Sequence, residues 1–180
     1  MEQTRFDPDF SSTAAMPDSV LPATVAWLGY GGLLPFLVLA PASVLDQNHA
    51  AYWSDGLFAY GAIILSFIGA LHWGFALSLG ATGSEAARAR RDGCFAWSVV
   101  PALIAWLALL LPPLLASLFL IAGFIAHYRQ DRRLASVAGL PLWYLPLRLR
   151  LSVVACLCLA AGGLSGFWAH PQNLLPVVLT

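Results

Sequence analysis

Long apolar segments separated by short polar stretches dominate the pattern of this chain. The clearest segment runs from Leu57 to Gly80, 24 residues without a charge, and a helix rising about 1.5 Å per residue crosses a bilayer over that length. The 35-residue segment 94–128 is too long for one span of a hydrocarbon core about 30 Å thick, and Pro112 and Pro113 interrupt it. The pattern therefore predicts an all-α bundle of five transmembrane helices at about 22–41, 57–80, 94–111, 114–128 and 149–168.

The polar stretches define the rest of the predicted organisation. Residues 1–21 are rich in Asp, Ser and Pro, which predicts a poorly ordered tail. Residues 129–148 contain Pro141 and Pro146 together with aromatic residues, which favours a short interfacial segment lying on the bilayer before the last helix. Residues 169–180 are predicted to form a short external tail.

Composition agrees with a membrane protein of one domain. The chain is 59% hydrophobic and only 10% charged, with a mean hydropathy of +0.76, whereas a soluble domain carries roughly 25% charged residues. Nine basic residues balance nine acidic ones, so no basic surface is left for nucleic acid. The first ten residues are acidic and polar, which predicts no cleavable signal peptide.

The distribution of arginine predicts the orientation in the membrane. With five spans, all nine arginines lie on the side of the N-terminus and none lies on the other side. The positive-inside rule then places the N-terminus in the cytoplasm and the C-terminus outside. We therefore expect a multi-pass protein of a bacterial inner membrane, or of the mitochondrial inner membrane in a eukaryote.

His72 is the side chain best placed for chemistry at membrane depth. Ionisable residues there are costly to bury and by default indicate function, so a neutral imidazole at this position could ligate a haem or a metal, or hydrogen-bond a quinone. Trp73 lies beside it, and His127 stands near the same depth, so the two histidines could share one haem iron. The alternative is a neutral histidine that only bridges helices.

Other candidate residues point to the membrane surface and not to catalysis. Arginines flank an aromatic pair before the last helix and could contact anionic lipid headgroups, another membrane protein or a second copy of the chain; these residues are Arg132, Arg133, Trp143, Tyr144, Arg148 and Arg150. They could equally serve only to set the topology. Cys156 and Cys158 point to nearly opposite faces of a helix, and no catalytic motif is present. We predict no catalytic residue, no metal site and no enzymatic activity.

Three stretches carry a family resemblance: LGYGGLLPF at 28–36, YGAIILSFIGALHWG at 60–74 and LPLWYLPLRLRL at 140–151. They resemble the domain-of-unknown-function 3429 family of bacterial inner-membrane proteins related to mitochondrial transmembrane protein 69. The resemblance implies a small multi-span inner-membrane protein and no particular activity. It adds Tyr60 and Ser66 to the positions of interest around His72, without assigning them a role.

These observations leave three functional hypotheses. The first is a non-enzymatic accessory or assembly protein of an inner-membrane complex, with no cofactor. The second is a binding protein for haem, quinone or another apolar molecule, centred on His72. The third and least favoured is a small transporter, because no carboxylate is predicted inside the membrane and no inverted repeat is visible.

Overall fold

The computed structural model describes residues 20–78 and 84–169, apart from the side chains of 136–138 and 166–169, and the described chain is all helical, as predicted. Its helices are α1 (Ala23–Gly31), α2 (Leu34–Leu45), α3 (Ala50–Ser78), α4 (Glu85–Ala108), α5 (Pro113–Ala138) and α6 (Tyr144–Ala169), with a short 3₁₀ turn at Gln47–His49. The predicted tail 1–21, except residues 20 and 21, and the predicted external tail beyond Ala169 lie outside the described residues.

The first predicted span is divided into α1 and α2. Pro35 lies in the first turn of α2, where the missing N–H of proline costs no helical hydrogen bond, and Gly32 caps the end of α1. The hydroxyl of Tyr60 on α3 donates to the Gly32 carbonyl at 2.9 Å and so satisfies a backbone acceptor at this break. The chain therefore bends where the sequence places its glycines and proline.

Three helical segments of the described chain are long and apolar enough to cross a membrane: Ala23–Leu45, Gln47–Ser78 and Tyr144–Ser165. Helices α4 and α5 form a hairpin around Pro112, as the Pro-Pro pair predicts. Charged residues occupy the first turns of α4 and the last turns of α5, which makes these two helices less apolar than the other three segments.

The region before the last helix differs from the prediction. Helix α5 continues ten residues beyond 128, and α6 already begins at Tyr144, so both helices are longer than the predicted 114–128 and 149–168 and together include most of 129–148. Gly139, with φ 60°, ends α5 in the left-handed conformation that favours glycine. Pro146 lies in the first turn of α6, where a proline is tolerated. The sequence prediction gave too much weight to the charges after 128 and to Pro146 as helix breakers.

Helix α3 lies at the centre and packs against α2, α4, α5 and α6. Its buried face supplies Leu57 and Leu65 to the hydrophobic core. Glycines allow the close approaches: a Cβ at Gly69 would lie 2.9 Å from Pro101 on α4, and one at Gly162 would lie 2.5 Å from Leu57. Gly162 therefore packs against α3 inside the monomer.

A buried serine cluster joins α2, α3 and α6. We use this name for Ser43, Ser54 and Ser165, all at most 7% exposed. The hydroxyls of Ser43 and Ser165 are 3.1 Å apart, and Ser54 donates to the Gly162 carbonyl at 3.2 Å. Ser43 also donates to the Ala40 carbonyl at 2.8 Å, so each hydroxyl has a hydrogen-bond partner. The hydrogen bonds of this cluster hold α2, α3 and α6 together at one end of the bundle.

Candidate metal centre

At the other end of the bundle, three helices bring ionisable side chains together. His72 comes from α3, His127 and Asp131 from α5, and Tyr144 and Arg148 from α6. We call His72, His127 and Asp131 the His–Asp cluster; each of them is 0% exposed. Burial of three ionisable residues in a membrane protein is expensive, which makes this the first candidate for a functional site.

The local sequence explains how the side chains share one site. His127 and Asp131 are four residues apart on α5, and Tyr144 and Arg148 are four residues apart on α6, so each pair projects from one face of its helix. His72 lies on the buried face of α3, in line with Ile68 and Ala76. The faces of α5 and α6 that carry these two pairs therefore meet His72 on the central helix α3.

The carboxylate of Asp131 is the centre of the cluster. Its Oδ2 atom accepts a hydrogen bond from Nε of Arg148 at 3.0 Å and one from the hydroxyl of Tyr144 at 3.4 Å. Its Oδ1 atom has no hydrogen-bond partner in the described part of the chain and lies 3.6 Å from Nε2 of His72 and 3.6 Å from Nε2 of His127. Arg148 and Tyr144 thus orient the carboxylate so that its free oxygen faces both imidazoles.

The distances inside the cluster are too long for hydrogen bonds. An N···O separation of 3.6 Å is outside hydrogen-bonding range, and all four ring nitrogens of the two histidines are buried without a partner among the residues that the structure describes. A buried polar atom without a partner costs about 1–3 kcal/mol, so such a group of atoms calls for an explanation. Ligand atoms around a tetrahedral metal with bonds of about 2.0–2.1 Å lie about 3.4 Å apart, close to the 3.6 Å between Oδ1 of Asp131 and each Nε2.

The three side chains have the right chemistry and position for a metal ion. One ligand atom from each of His72, His127 and Asp131 lies within 4.8 Å of the other two. Arg148 and Tyr144 hold the second oxygen of the carboxylate, which is how outer groups usually fix a metal-binding carboxylate. The arrangement is therefore a candidate site for a small cation, and the sequence analysis predicted no metal site.

The same geometry argues against one haem shared by the two histidines. Their rings are in edge-to-face contact, with centroids 4.8 Å apart. A haem iron held by two histidines needs its flat macrocycle between the two rings, perpendicular to the line that joins their nitrogens. Oδ1 of Asp131 lies 3.6 Å from both Nε2 atoms and therefore occupies that plane. A single ion fits between these atoms, and a porphyrin does not.

The other residues predicted to bind a ligand lie apart from this cluster. Trp73 is 53% exposed and packs edge-on against Phe95 of α4, with ring centroids 4.9 Å apart. Tyr60 lies near the α1–α2 break, where it donates to Gly32. Ser66 donates to the Ala62 carbonyl of its own helix at 2.8 Å. Of the five predicted positions, the structure brings together only His72 and His127.

The residues predicted to contact lipid or a partner divide into two groups. Arg132, Arg133 and Arg150 are exposed. Arg148 is only 9% exposed and pairs with Asp131, which differs from the expected surface role. Trp143 and Tyr144 are half-buried. Tyr144 turns inward to Asp131 because α6 begins earlier than predicted, and Trp143 lies in the turn just before α6 and lines a cavity of the bundle.

Sequence reasoning missed Asp131. The prediction ended the fourth helix at 128 and assigned the next charged residues to a loop. A usable signal was present: Asp131 follows His127 by four residues, and no glycine or proline occurs before Gly139 to end the helix. Extending the helix by one turn would have placed the carboxylate of Asp131 next to His127 on the same helix face.

The fold and this site define an all-helical integral membrane protein with a buried cluster of two histidines, an aspartate and an arginine. The family model described as "Protein of unknown function (DUF3429)" matches residues 21–164, and the chain belongs to that family. The resemblance seen in the sequence is thereby confirmed.

Two curated relatives carry the name transmembrane protein 69. The protein of Xenopus tropicalis is 36% identical over 171 residues, covering 89% of this chain and 60% of the relative. The protein of Mus musculus is 28% identical over 150 residues, covering 81% of this chain and 56% of the relative. The chain thus spans somewhat more than half the length of these relatives. No solved structure matches it.

Proposed function

We propose that this chain is a membrane protein that binds a divalent first-row transition metal ion through Nε2 of His72, Nε2 of His127 and Oδ1 of Asp131. One observation carries the proposal: two buried imidazoles without hydrogen-bond partners face the same free carboxylate oxygen at 3.6 Å. This departs from the sequence-based expectation of no metal, and it retains the hypothesis that His72 is the centre of a binding site.

The donor set indicates which metals fit. Two imidazole nitrogens and one carboxylate oxygen suit zinc or iron in the divalent state, whereas copper(I) prefers the thiolate ligands that this cluster does not include. Three protein ligands leave at least one coordination position open. Because Arg148 already balances the charge of Asp131, a bound dication would leave two net positive charges in a buried site. We therefore expect an anion such as hydroxide in the open position.

For the membrane arrangement, we propose five spans with the N-terminus in the cytoplasm of a bacterial inner membrane. The support is that the end of α3, the end of α5 and the start of α6 meet at the His–Asp cluster, so they lie at one end of the bundle. The exposed arginines of the described chain belong to that end, on the first turns of α4, the last turns of α5 and the start of α6. Reporter fusions at the two termini test the orientation.

For the physiological role, we propose a non-enzymatic accessory or assembly protein that holds its metal ion beside a membrane complex. The exposed arginines at the cluster end, among them Arg132 and Arg150, offer contacts for anionic lipid headgroups, another membrane protein or a second copy of the chain. A second candidate is a small transporter, which one observation favours: Asp131 supplies the buried carboxylate that the sequence prediction lacked. Saturable uptake of a cation into proteoliposomes would favour transport.

The test is a metal titration of the detergent-purified protein after chelation. We would add Co²⁺, whose visible absorption reports a site with nitrogen and oxygen ligands, and then displace it with Zn²⁺. Wild type should bind about one equivalent, and His72→Gln and His127→Gln should each lose at least tenfold in affinity. The matched control is His49→Gln, since the His49 side chain is 69% exposed and pairs with Asp46, away from the His–Asp cluster.

Two results would overturn the proposal. The first is a wild-type protein that binds neither Co²⁺ nor Zn²⁺ above the level of empty detergent micelles, with Fe²⁺ under anaerobic conditions equally negative. The second is binding that survives both histidine substitutions and disappears with His49→Gln. Either result would leave the His–Asp cluster as a structural contact between helices.

A further inference from the structure

A second feature of the cluster end is an apolar cavity of about 300 Å³ between α1, α2, α3, α5 and α6. Its walls are almost entirely hydrocarbon and aromatic, and include Leu28, Phe36, Phe67, Leu71, Leu147 and Leu151. Leu28 is 73% and Phe67 63% exposed, so the cavity opens on the outer surface of the bundle, which faces lipid. This volume is at the lower end of the range for small-molecule sites.

Two hydrogen-bond donors of this cavity lack an acceptor. Arg148 and Trp143 both line it, as does Ser152, and among the described residues Nη2 of Arg148 and the indole Nε1 of Trp143 are buried without a hydrogen-bond partner. Neither an indole nor a guanidinium accepts a hydrogen bond. Tyr144, which also lines the cavity, already donates its hydroxyl to Asp131. A molecule that satisfies the two free donors must therefore present acceptor oxygens.

The charge balance indicates what kind of acceptor fits. The guanidinium of Arg148 is paired with Asp131 at 3.0 Å, so its positive charge is already compensated. An anionic headgroup would bring an additional charge into an apolar cavity, whereas a carbonyl oxygen satisfies the donors without one. An apolar ring with neutral carbonyl groups matches both the donors and the hydrocarbon walls.

We infer that this cavity binds an apolar ring molecule with neutral carbonyl acceptors, which is the chemistry of a membrane quinone. The ring lies among the aromatic and aliphatic side chains, its carbonyl oxygens serve as acceptors for Arg148 and Trp143 at the polar end, and the tail leaves through the opening at Leu28 and Phe67. Arg148 also contacts Asp131, so the ligand and the His–Asp cluster share one ion pair. The inference does not depend on metal binding.

The test uses decylubiquinone as the probe, titrated calorimetrically into the detergent-solubilised full chain with empty micelles as the blank. The quinone should bind saturably at about one equivalent. Trp143→Phe removes one donor while keeping an aromatic ring, and we expect a roughly threefold to tenfold weaker affinity, the value of about one hydrogen bond. Trp27→Phe is the matched control, because Trp27 is 81% exposed and does not line the cavity.

Comparison probes make the outcome decisive. Decanoate carries a similar chain and a negative charge, and it should bind more weakly than the quinone. Val25→Trp enlarges a side chain that lines the cavity and should reduce quinone binding. His127→Gln, which tests the metal proposal, should leave quinone binding within about twofold, so the two proposals fail separately.

Three results would overturn this inference. The first is the absence of saturable quinone binding. The second is tighter binding of decanoate than of the quinone, which would assign the cavity to the chain of an anionic lipid. The third is equal quinone affinity for Trp143→Phe and Trp27→Phe, which would show that the indole donor in the cavity plays no part.

Discussion

The two buried polar clusters of this bundle differ in almost every respect except burial. The serine cluster and the His–Asp cluster lie near opposite ends of α3, and the 18 residues from Ser54 to His72 correspond to about 27 Å of helix. In the serine cluster, short hydroxyls meet each other and backbone carbonyls at 2.8–3.3 Å. In the His–Asp cluster, long side chains with ionisable ends stop 3.6 Å apart.

The comparison distinguishes buried polar side chains that hold helices together from buried polar side chains that form a binding site. Serines beside small residues let helices approach closely and form hydrogen bonds of modest strength, as expected of contacts that hold a bundle together. The His–Asp cluster instead leaves five polar side-chain atoms of His72, His127 and Asp131 unsatisfied at a point where burial is most costly. Because these atoms are already positioned but lack hydrogen-bond partners, a bound ligand is expected to stabilise the folded protein.

The largest effect is expected from Asp131→Ala. It would leave the guanidinium of Arg148 buried without its counter-charge, and loss of one partner of a buried ion pair typically destabilises by about 3–5 kcal/mol. The free energy of unfolding, measured by denaturant titration in mixed micelles, checks this. Asp55→Ala on the exposed side of α3 is the control and should change stability by less than about 0.5 kcal/mol.

The double variant Asp131→Leu/Arg148→Leu sharpens that prediction. It removes both charges, so it should cost less stability than Asp131→Ala alone. A double variant that is less stable than the single one would show that the ion pair itself, and not the unpaired charge, stabilises the bundle.

Metal removal should give the next largest effect. If the free metal concentration is about 100 times its dissociation constant, binding stabilises the folded state by about 2.7 kcal/mol, and a chelator removes that contribution. The thermal midpoint of metal-loaded wild type should fall on chelation, that of His127→Gln should not move, and that of Ser165→Ala should fall as in wild type. An equal response of both variants would contradict a metal at the His–Asp cluster.

A matched pair of glycine substitutions tests how tightly the end with the serine cluster is packed. A Cβ at Gly163 would collide with the side chain of Ser117, so Gly163→Ala should destabilise by about 1–3 kcal/mol. Within the described chain, a Cβ at Gly74 would meet no atom within 4 Å outside its own stretch of helix, and there the change to alanine should be neutral or stabilise by up to about 1 kcal/mol. Equal midpoints for the two variants would contradict this description of the packing.

The smallest effect is expected from Ser165→Ala. Hydrogen bonds between membrane helices average about 0.6 kcal/mol, and this substitution removes the hydroxyl that contacts Ser43 and Ser54. Unfolding in mixed micelles should therefore shift only slightly, and metal binding should be unchanged. A loss as large as that of Asp131→Ala would remove the distinction between the two clusters.

Some parts of the candidate site were predictable from the sequence. His72 and His127 were predicted to lie near the same depth, because span position follows from the number of residues along each helix. The ion pair between Asp131 and Arg148 was not predicted from the sequence. Both were assigned to the membrane surface because charges normally end a span, and here each charge offsets the cost of burying the other.

The pattern of amino acids is sufficient to specify an all-helical membrane protein. In lipid every backbone polar group needs an internal partner, so long uncharged segments must be helices, and Pro112, Pro113 and Gly139 mark where helices turn. Which faces of α3, α5 and α6 meet depends on how the helices pack in the folded protein. The rotation of α3, α5 and α6 about their axes is set by packing at glycines such as Gly69 and Gly162, and no periodicity in the sequence specifies that rotation. The encounter of two histidines, an aspartate and an arginine therefore arises only when the helices pack.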